Sequence, residues 1–236
     1  MTLAVPDVLS HGEITVDGRM PWSSNATFLC TLRLDDEVCQ AIYKPARGER
    51  PLWDFPSGLY RREIAAYELS EALGWDLVPP TIEREGPHGV GSWQLFINAD
   101  FEQHHFTIYE KRLDLHDRLR AMCAFDLLAN NTDRKSGHVL IGAEGQWQDA
   151  IVGIDHGVCF HEEWKLRTVI WEFAFEPFSD LIGAGIQAIA NKVPETLLPL
   201  LDGTEVDALR DRAQHFATVG HFPSDPTGRR YPWPLV

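Results

Sequence analysis

Apolar and polar residues alternate along the early part of the chain, and period-two alternation marks half-buried strands. Gly12 to Val16 and Thr27 to Leu34 read as strands, and Asp35-Asp36 turns the chain into a third, Val38 to Tyr43. Pro45 to Pro56 carries three prolines and a glycine and reads as a loop. From Ser57 the period lengthens: Tyr60, Ile64, Tyr67, Leu69 and Leu73 recur at helical spacing until Gly74 stops the run. Short strands at Pro80 to Arg84 and Ser92 to Ile97 then bracket the turn Gly86-Pro87-His88-Gly89.

Beyond Asn98 the helical period dominates, over 115–130, 178–191 and 203–218, interrupted by two short apolar runs. A β-rich first part with one helix, followed by a helical second part, predicts an α+β chain of two lobes, 1–98 and 99–236. Residues 219–236 hold four prolines and little periodicity, so they are expected to lie extended on the surface. Trp164, Trp171, Phe173, Phe175 and Phe178 form a dense aromatic stretch, read at helical spacing as mostly core, with a pocket wall as the alternative.

Composition narrows the function classes. The chain has 236 residues, 44% hydrophobic and 24% charged, as expected for a globular protein with a full core. Its formal charge of -14 disfavours nonspecific association with nucleic acid or an anionic membrane. No apolar run approaches the roughly eighteen residues of a membrane span and no leader-like stretch opens the chain, so a cytoplasmic protein is expected. The four cysteines are scattered and read as reduced, with one Cys30–Cys39 bridge across a hairpin as the minority reading. His161-Glu162-Glu163-Trp164-Lys165 lacks the second histidine of a zinc-protease helix, so zinc hydrolysis has no support.

The chemistry concentrates in two loops. Asn131-Thr132-Asp133-Arg134-Lys135-Ser136-Gly137-His138 follows an apolar helical run from Leu119 to Ala129, and Asp155-His156-Gly157 follows a short apolar strand. Phosphoryl transfer needs one carboxylate near an attacking hydroxyl and others that hold Mg²⁺ against phosphates, and aspartates on loops ending rigid elements meet that need. Lys44 ends the strand Cys39 to Tyr43 and can reach nucleotide phosphates if an acid fixes it; Glu63 on the next helix is placed to do so. A lone strand-end lysine is ordinarily solvated, and it is the order Lys44, Glu63, Asp133, Asp155 that changes its reading. Ser23, Ser24 and Asn25 join two strands and offer backbone N–H and polar groups to phosphate, without any Walker A pattern. Asp126 is read as a structural partner.

Lys44-Pro45, Arg62-Glu63-Ile64-Ala65-Ala66-Tyr67, Asn131-Thr132-Asp133-Arg134 and Asp155-His156-Gly157 together resemble the phosphatidylinositol 3-/4-kinase superfamily, most closely the type II 4-kinases. The resemblance spans roughly residues 20–160. It implies a reduced bilobal protein-kinase-like fold and an ATP-dependent phosphotransferase using Mg²⁺ or Mn²⁺. Lys44 would hold ATP phosphates and Glu63 would hold Lys44. Asp133, with Arg134 beside it, would serve catalysis, and Asp155 would bind metal. Phe96 and Ile97, at the end of the rim strand, would receive adenine through their backbone.

Two departures shape the expectation. His138 stands where the family places a metal-binding asparagine, and it either joins the metal, favouring Mn²⁺, or packs beside the loop. Residues 46–61 lack the cysteine-rich lipidated insert, which removes the expected membrane anchor and makes a bilayer substrate less fitting. The acceptor is therefore expected to be an alcohol on a small molecule or an inositol-like head group. A Ser/Thr protein substrate and a nucleotide-binding pseudokinase remain the alternatives.

Overall fold

The computed structural model describes residues 6–21 and 25–236. A five-stranded sheet holds β1 (Glu13–Arg19), β2 (Phe28–Leu34), β3 (Glu37–Pro45), β4 (Thr81–Gly86) and β5 (Gly89–Leu95) in the antiparallel order β1-β2-β3-β5-β4. Period-two alternation sorts its faces. Cys30, Leu32, Ala41, Tyr43 and Trp93 are fully buried beneath the short helix α1 (Asp7–His11), whereas Ile42 and Lys44 turn the other way. Lys44 pairs with Ser92 in the register of β3 and β5.

Helix α2 (Leu59–Leu73) packs on β4 and β5. It ends because Gly74 adopts the left-handed conformation at φ 64°, letting its N–H reach Glu71 O and that of Trp75 reach Ser70 O. Eleven of the fifteen positions of α2 are buried, the charged Arg62 and Glu63 among them, so burial runs round most of the helix rather than along one apolar stripe. Its far side joins the large core formed with α4 (His116–Ala129), α5 (Asp180–Asn191) and α6 (Gly203–Val219). A seven-residue helix, α3 (His105–Lys111), precedes α4, and a small hairpin of β6 (Val139–Ile141) and β7 (Ile151–Gly153) carries the two motif loops. The chain is thus α+β, with a β-rich lobe bearing one helix and a mostly helical lobe. Among the described residues no helix is long and apolar enough to cross a membrane.

Two sequence expectations need correction, those for the aromatic stretch and the tail, while the reading of reduced cysteines stands over its one-bridge alternative. The aromatic stretch forms no helix: Phe175 sits at φ 68° and is 71% exposed, Phe173 is buried, and Trp164 is over a third exposed. Cys30 faces Ala41 and Cys39 faces Leu32, so the register holds the two thiols apart and all four cysteines are free. The C-terminal stretch is extended, but it is not merely laid on the surface. Phe222 is buried, Thr168 N–H donates to Arg230 O, and Ser136 N–H donates to Leu235 O.

Candidate active site

Lys44 is the centre of the site. Its ammonium contacts Glu63 Oε1 and lies 3.0 Å from Asp155 Oδ1, bridging the sheet, α2 and the loop after β7. The other Glu63 oxygen accepts the His156 backbone N–H at 2.8 Å. Burial works against the Lys44 charge, but Asp155 and Glu63 outweigh it and hold the lysine pKa above its ordinary value. The Lys44 charge in turn holds the Asp155 carboxyl well below the usual carboxylate range. Burial pushes Glu63 upward against the pull of Lys44. Gly157 makes room for this cluster, because a Cβ there would stand 3.3 Å from Glu63 Oε1.

Asp133 lines the same cleft. Asn130 closes α4 in the left-handed conformation, at φ 50°, and starts the first motif loop. Asn131 Oδ1 accepts the Asp133 N–H at 3.0 Å, and Lys135 Nζ lies 2.8 Å from Asp133 Oδ2. Lys135 received no role from the sequence. Its position two residues after Asp133 was the available signal.

His138 meets both aspartates. Its Nδ1 lies 3.0 Å from Asp133 O, and a carbonyl only accepts, so Nδ1 carries the proton. Burial lowers the His138 pKa despite Asp155, keeping the ring neutral near pH 7. The Nε2 lone pair is then left 3.6 Å from Asp155 Oδ2. Two acceptors facing each other suit a shared cation, so His138 and Asp155 fit a divalent metal. Among the described residues no group of three or more His, Cys, Asp or Glu forms a closed metal cage.

Arg134 behaves differently from its neighbours. It is fully buried and lines neither part of the cleft. Its guanidinium pairs with Asp126, also fully buried, at 2.9–3.1 Å, and donates to His138 O, Ile154 O and His156 Nε2. Asp126 further accepts from Asn131 and Thr168. Arg134 is therefore the tie that holds the two motif loops to α4, a correction to its grouping with the catalytic residues. Since arginine only donates, His156 Nε2 accepts, and burial together with the Arg134 charge keeps that ring neutral.

The cleft has two parts. A cavity of about 720 Å³ is lined by Asn25, Lys44, Glu63, Asp133, Lys135, His138 and Asp155, with Pro234 and Val236 from the tail. A narrower, apolar slot of about 270 Å³ adjoins it, sharing Lys44, His138 and Asp155 and walled by Ile42, Phe96, Ile97, Leu140 and Ile154. Phe96 and Ile97 thus border the slot, but the Phe96 N–H donates to Gln40 O and is committed to the sheet. Asn25 Oδ1 accepts the Arg50 N–H at 2.9 Å. Ser23 and Ser24 lie outside the described residues.

No model of a known protein family matches the chain. Protein Rv2133c of Mycobacterium tuberculosis is 40% identical over 264 aligned positions, which cover 96% of this chain and 94% of that protein. The chain belongs to the family of Rv2133c. Phosphatidylinositol 4-kinase gamma 4 of Oryza sativa subsp. japonica is 28% identical over 151 residues, 54% of this chain but a quarter of that protein's length. The crystal structure of the Helicobacter pylori proinflammatory kinase CtkA superposes with a TM-score of 0.51 at 11% identity, covering 90% of this chain and 94% of that one. At that identity the likeness concerns the fold, and the fold of this Rv2133c-family chain is kinase-like. The family relation adds no activity to it.

Proposed function

We propose that the chain is an ATP-dependent phosphotransferase that passes the γ-phosphoryl group to an alcohol on a small polyol or inositol-like molecule. One observation carries this reading: Lys44, Glu63, Asp133, His138 and Asp155 converge on one cavity that opens onto an apolar slot. The distant similarity to a phosphatidylinositol 4-kinase supports it. The transfer forms an O–P bond from the acceptor hydroxyl to γ-phosphorus and breaks the β–γ P–O bond, with ADP as the leaving group. The hydroxyl proton goes to the Asp133 carboxylate.

The residues divide this work. Lys44, kept charged and aimed by Glu63, neutralises phosphate oxygens, and Lys135 brings a second cation beside Asp133. Asp155 and His138 would hold Mg²⁺ or Mn²⁺, which when bound offsets the charge on the phosphates. Ile42, Leu140 and Ile154 enclose the apolar slot where a flat base would be shielded from water. Residue 98 as the boundary between lobes, and a site of action in the cytoplasm, belong to the same proposal.

The experiment is a pair of measurements on the whole chain. ATP with Mg²⁺ or Mn²⁺ is expected to raise the melting temperature, and ADP is expected to appear when polyols are supplied. Protection by ATP without transfer to any polyol, lipid or protein would favour a nucleotide-binding module instead. Absence of protection with either metal overturns both readings.

A further inference from the structure

A second cavity of about 330 Å³ lies beside the catalytic loop, and its lining is basic and aromatic in a chain that carries 21 basic against 35 acidic residues. Arg167, Arg229 and Arg230 line it with Lys165, between Trp53 and Trp164. Lys165 is engaged, 3.2 Å from Asp54 and 3.6 Å from Glu163, and lies over the Trp53 and Phe55 rings. Arg230 lies over the Trp164 ring, with Asp225 as its nearby acid. Arg167 and Arg229 are exposed, and among the described residues their guanidinium groups have no ion-pair or hydrogen-bond partner. Solvated surface cations usually need no explanation. Here, however, both unpaired cations face one cavity, and the backbone fixes one of them: Arg167 N–H donates to Asn131 O and Arg167 O accepts from Arg134 N–H.

The cavity neighbours the active-site cleft, since three segments of the chain contribute residues to both without any residue lining the two together. Leu52 lines the cleft and Trp53 to Phe55 the basic cavity; Asp133 lines the cleft and Thr132 the basic cavity. In the tail, Arg229 and Arg230 line the basic cavity while Pro234 and Val236 line the cleft. A molecule anchored at the arginines would reach Asp133 across the Thr132–Asp133 step of the loop. Arginine forks match phosphate oxygens, and exposed tryptophan faces take the C–H face of a ring.

We propose that this cavity is an anion subsite for the acceptor, and that the acceptor is a small soluble polyol already bearing a phosphate monoester. The proposal rests on the phosphotransferase reading for its turnover, and the balance of the transfer is the one given above. The anion subsite itself is read by binding alone.

Calorimetry with inorganic phosphate tests the subsite. Wild type is expected to bind it and R167A/R229A to bind it about ten-fold more weakly, with R167K/R229K recovering much of the loss. Thermal protection by ATP should be equal in all three proteins, which shows that the variants are folded. Absence of phosphate binding in wild type, or unaltered binding in R167A/R229A, overturns the subsite, as would binding by an adventitious ion only, with no competition from a phosphorylated polyol.

Turnover identifies the source of the anion. Inositol 1-phosphate is expected to be a better acceptor than inositol, with a KM about ten-fold higher in R167A/R229A. Equal use of inositol, or preference for phosphatidylinositol presented in vesicles, overturns the soluble phosphorylated acceptor. Loss of ATP protection in wild type would overturn the kinase reading alone, because phosphate calorimetry needs no nucleotide.

Discussion

Asp133 and Arg134 are adjacent in the chain and opposite in role. Asp133 is open to the cleft beside Lys135, whereas Arg134 is sealed against Asp126. Asp133→Asn should leave ATP protection in place and lower turnover by about 10²–10⁴-fold, the usual worth of a general base. Turnover near that of wild type would remove Asp133 from the chemistry. Arg134→Ala should instead destabilise the whole protein by about 3–5 kcal/mol, because it leaves Asp126 charged and buried. Denaturant unfolding followed by circular dichroism measures that loss, and an unchanged midpoint would mean that Asp126 finds other partners. Lys44, Glu63, Asp133 and Asp155 are legible as candidates because each sits at the end of a regular element and the order is distinctive. The burial of Arg134 is not legible in the same way. An arginine beside a catalytic aspartate looks like a site residue until the distant Thr168 and His156 close around it.

At the scale of elements, strands and long helices are legible because their periodicity is strong. The helices read at 115–130, 178–191 and 203–218 correspond to His116–Ala129, Asp180–Asn191 and Gly203–Val219. Two short helices, α1 and α3, escaped notice: five and seven residues carry too little periodicity to register. The aromatic stretch misled for a different reason. Its rings are held by tertiary partners, such as Phe173 against Tyr109 and Phe222, while Phe175 takes a left-handed backbone conformation that no helix admits. Helix α6 offers an element-scale test. Asp202 caps it by accepting the Glu205 N–H at 3.1 Å, and Glu205 Oε2 accepts the Asp202 N–H in return. The Glu205 N–H bond lowers the Asp202 pKa in the folded state. The cap therefore contributes fully above the unfolded carboxylate pKa and fades as pH falls through the lower folded value. Asp202→Ala should cost about 1 kcal/mol at pH 7. In urea titrations the gap between the two proteins should narrow in acid, and a gap that widened there would contradict the capping role.

Across the whole molecule, nucleotide would sit between the sheet and the helical lobe, so binding should stabilise both together. At an ATP concentration about a hundred-fold above Kd, stabilisation of about 2.7 kcal/mol is expected. For a chain of this length that corresponds to a rise in melting temperature of about 5–10 °C. Differential scanning fluorimetry with and without metal checks this, and Asp155→Ala should abolish the metal-dependent part. An α+β kinase-like architecture is legible from the succession of strands and helices. How α2, lying against a sheet with its own core, is shared with the core of the helical lobe is not, because α2 reads from its spacing as an ordinary one-sided helix.

That sharing has a kinetic consequence. Arg62, one residue before Glu63, donates to Cys159 O and pairs with Glu205 on α6, across 143 residues of sequence. Arg212, also on α6, donates to Leu128 O and His161 O on either side of the first motif loop. Contacts of such separation form late, because the intervening loop must close first. The lysine–glutamate pair should then acquire its final geometry only once the last helix has docked. During refolding, recovery of helical circular dichroism should precede the ability to capture a fluorescent ATP analogue. Simultaneous recovery of the two signals would show that the clasp forms with the rest of the core. If the lag is real, any break in the polypeptide between the two ends of this clasp would silence the site while leaving most secondary structure in place.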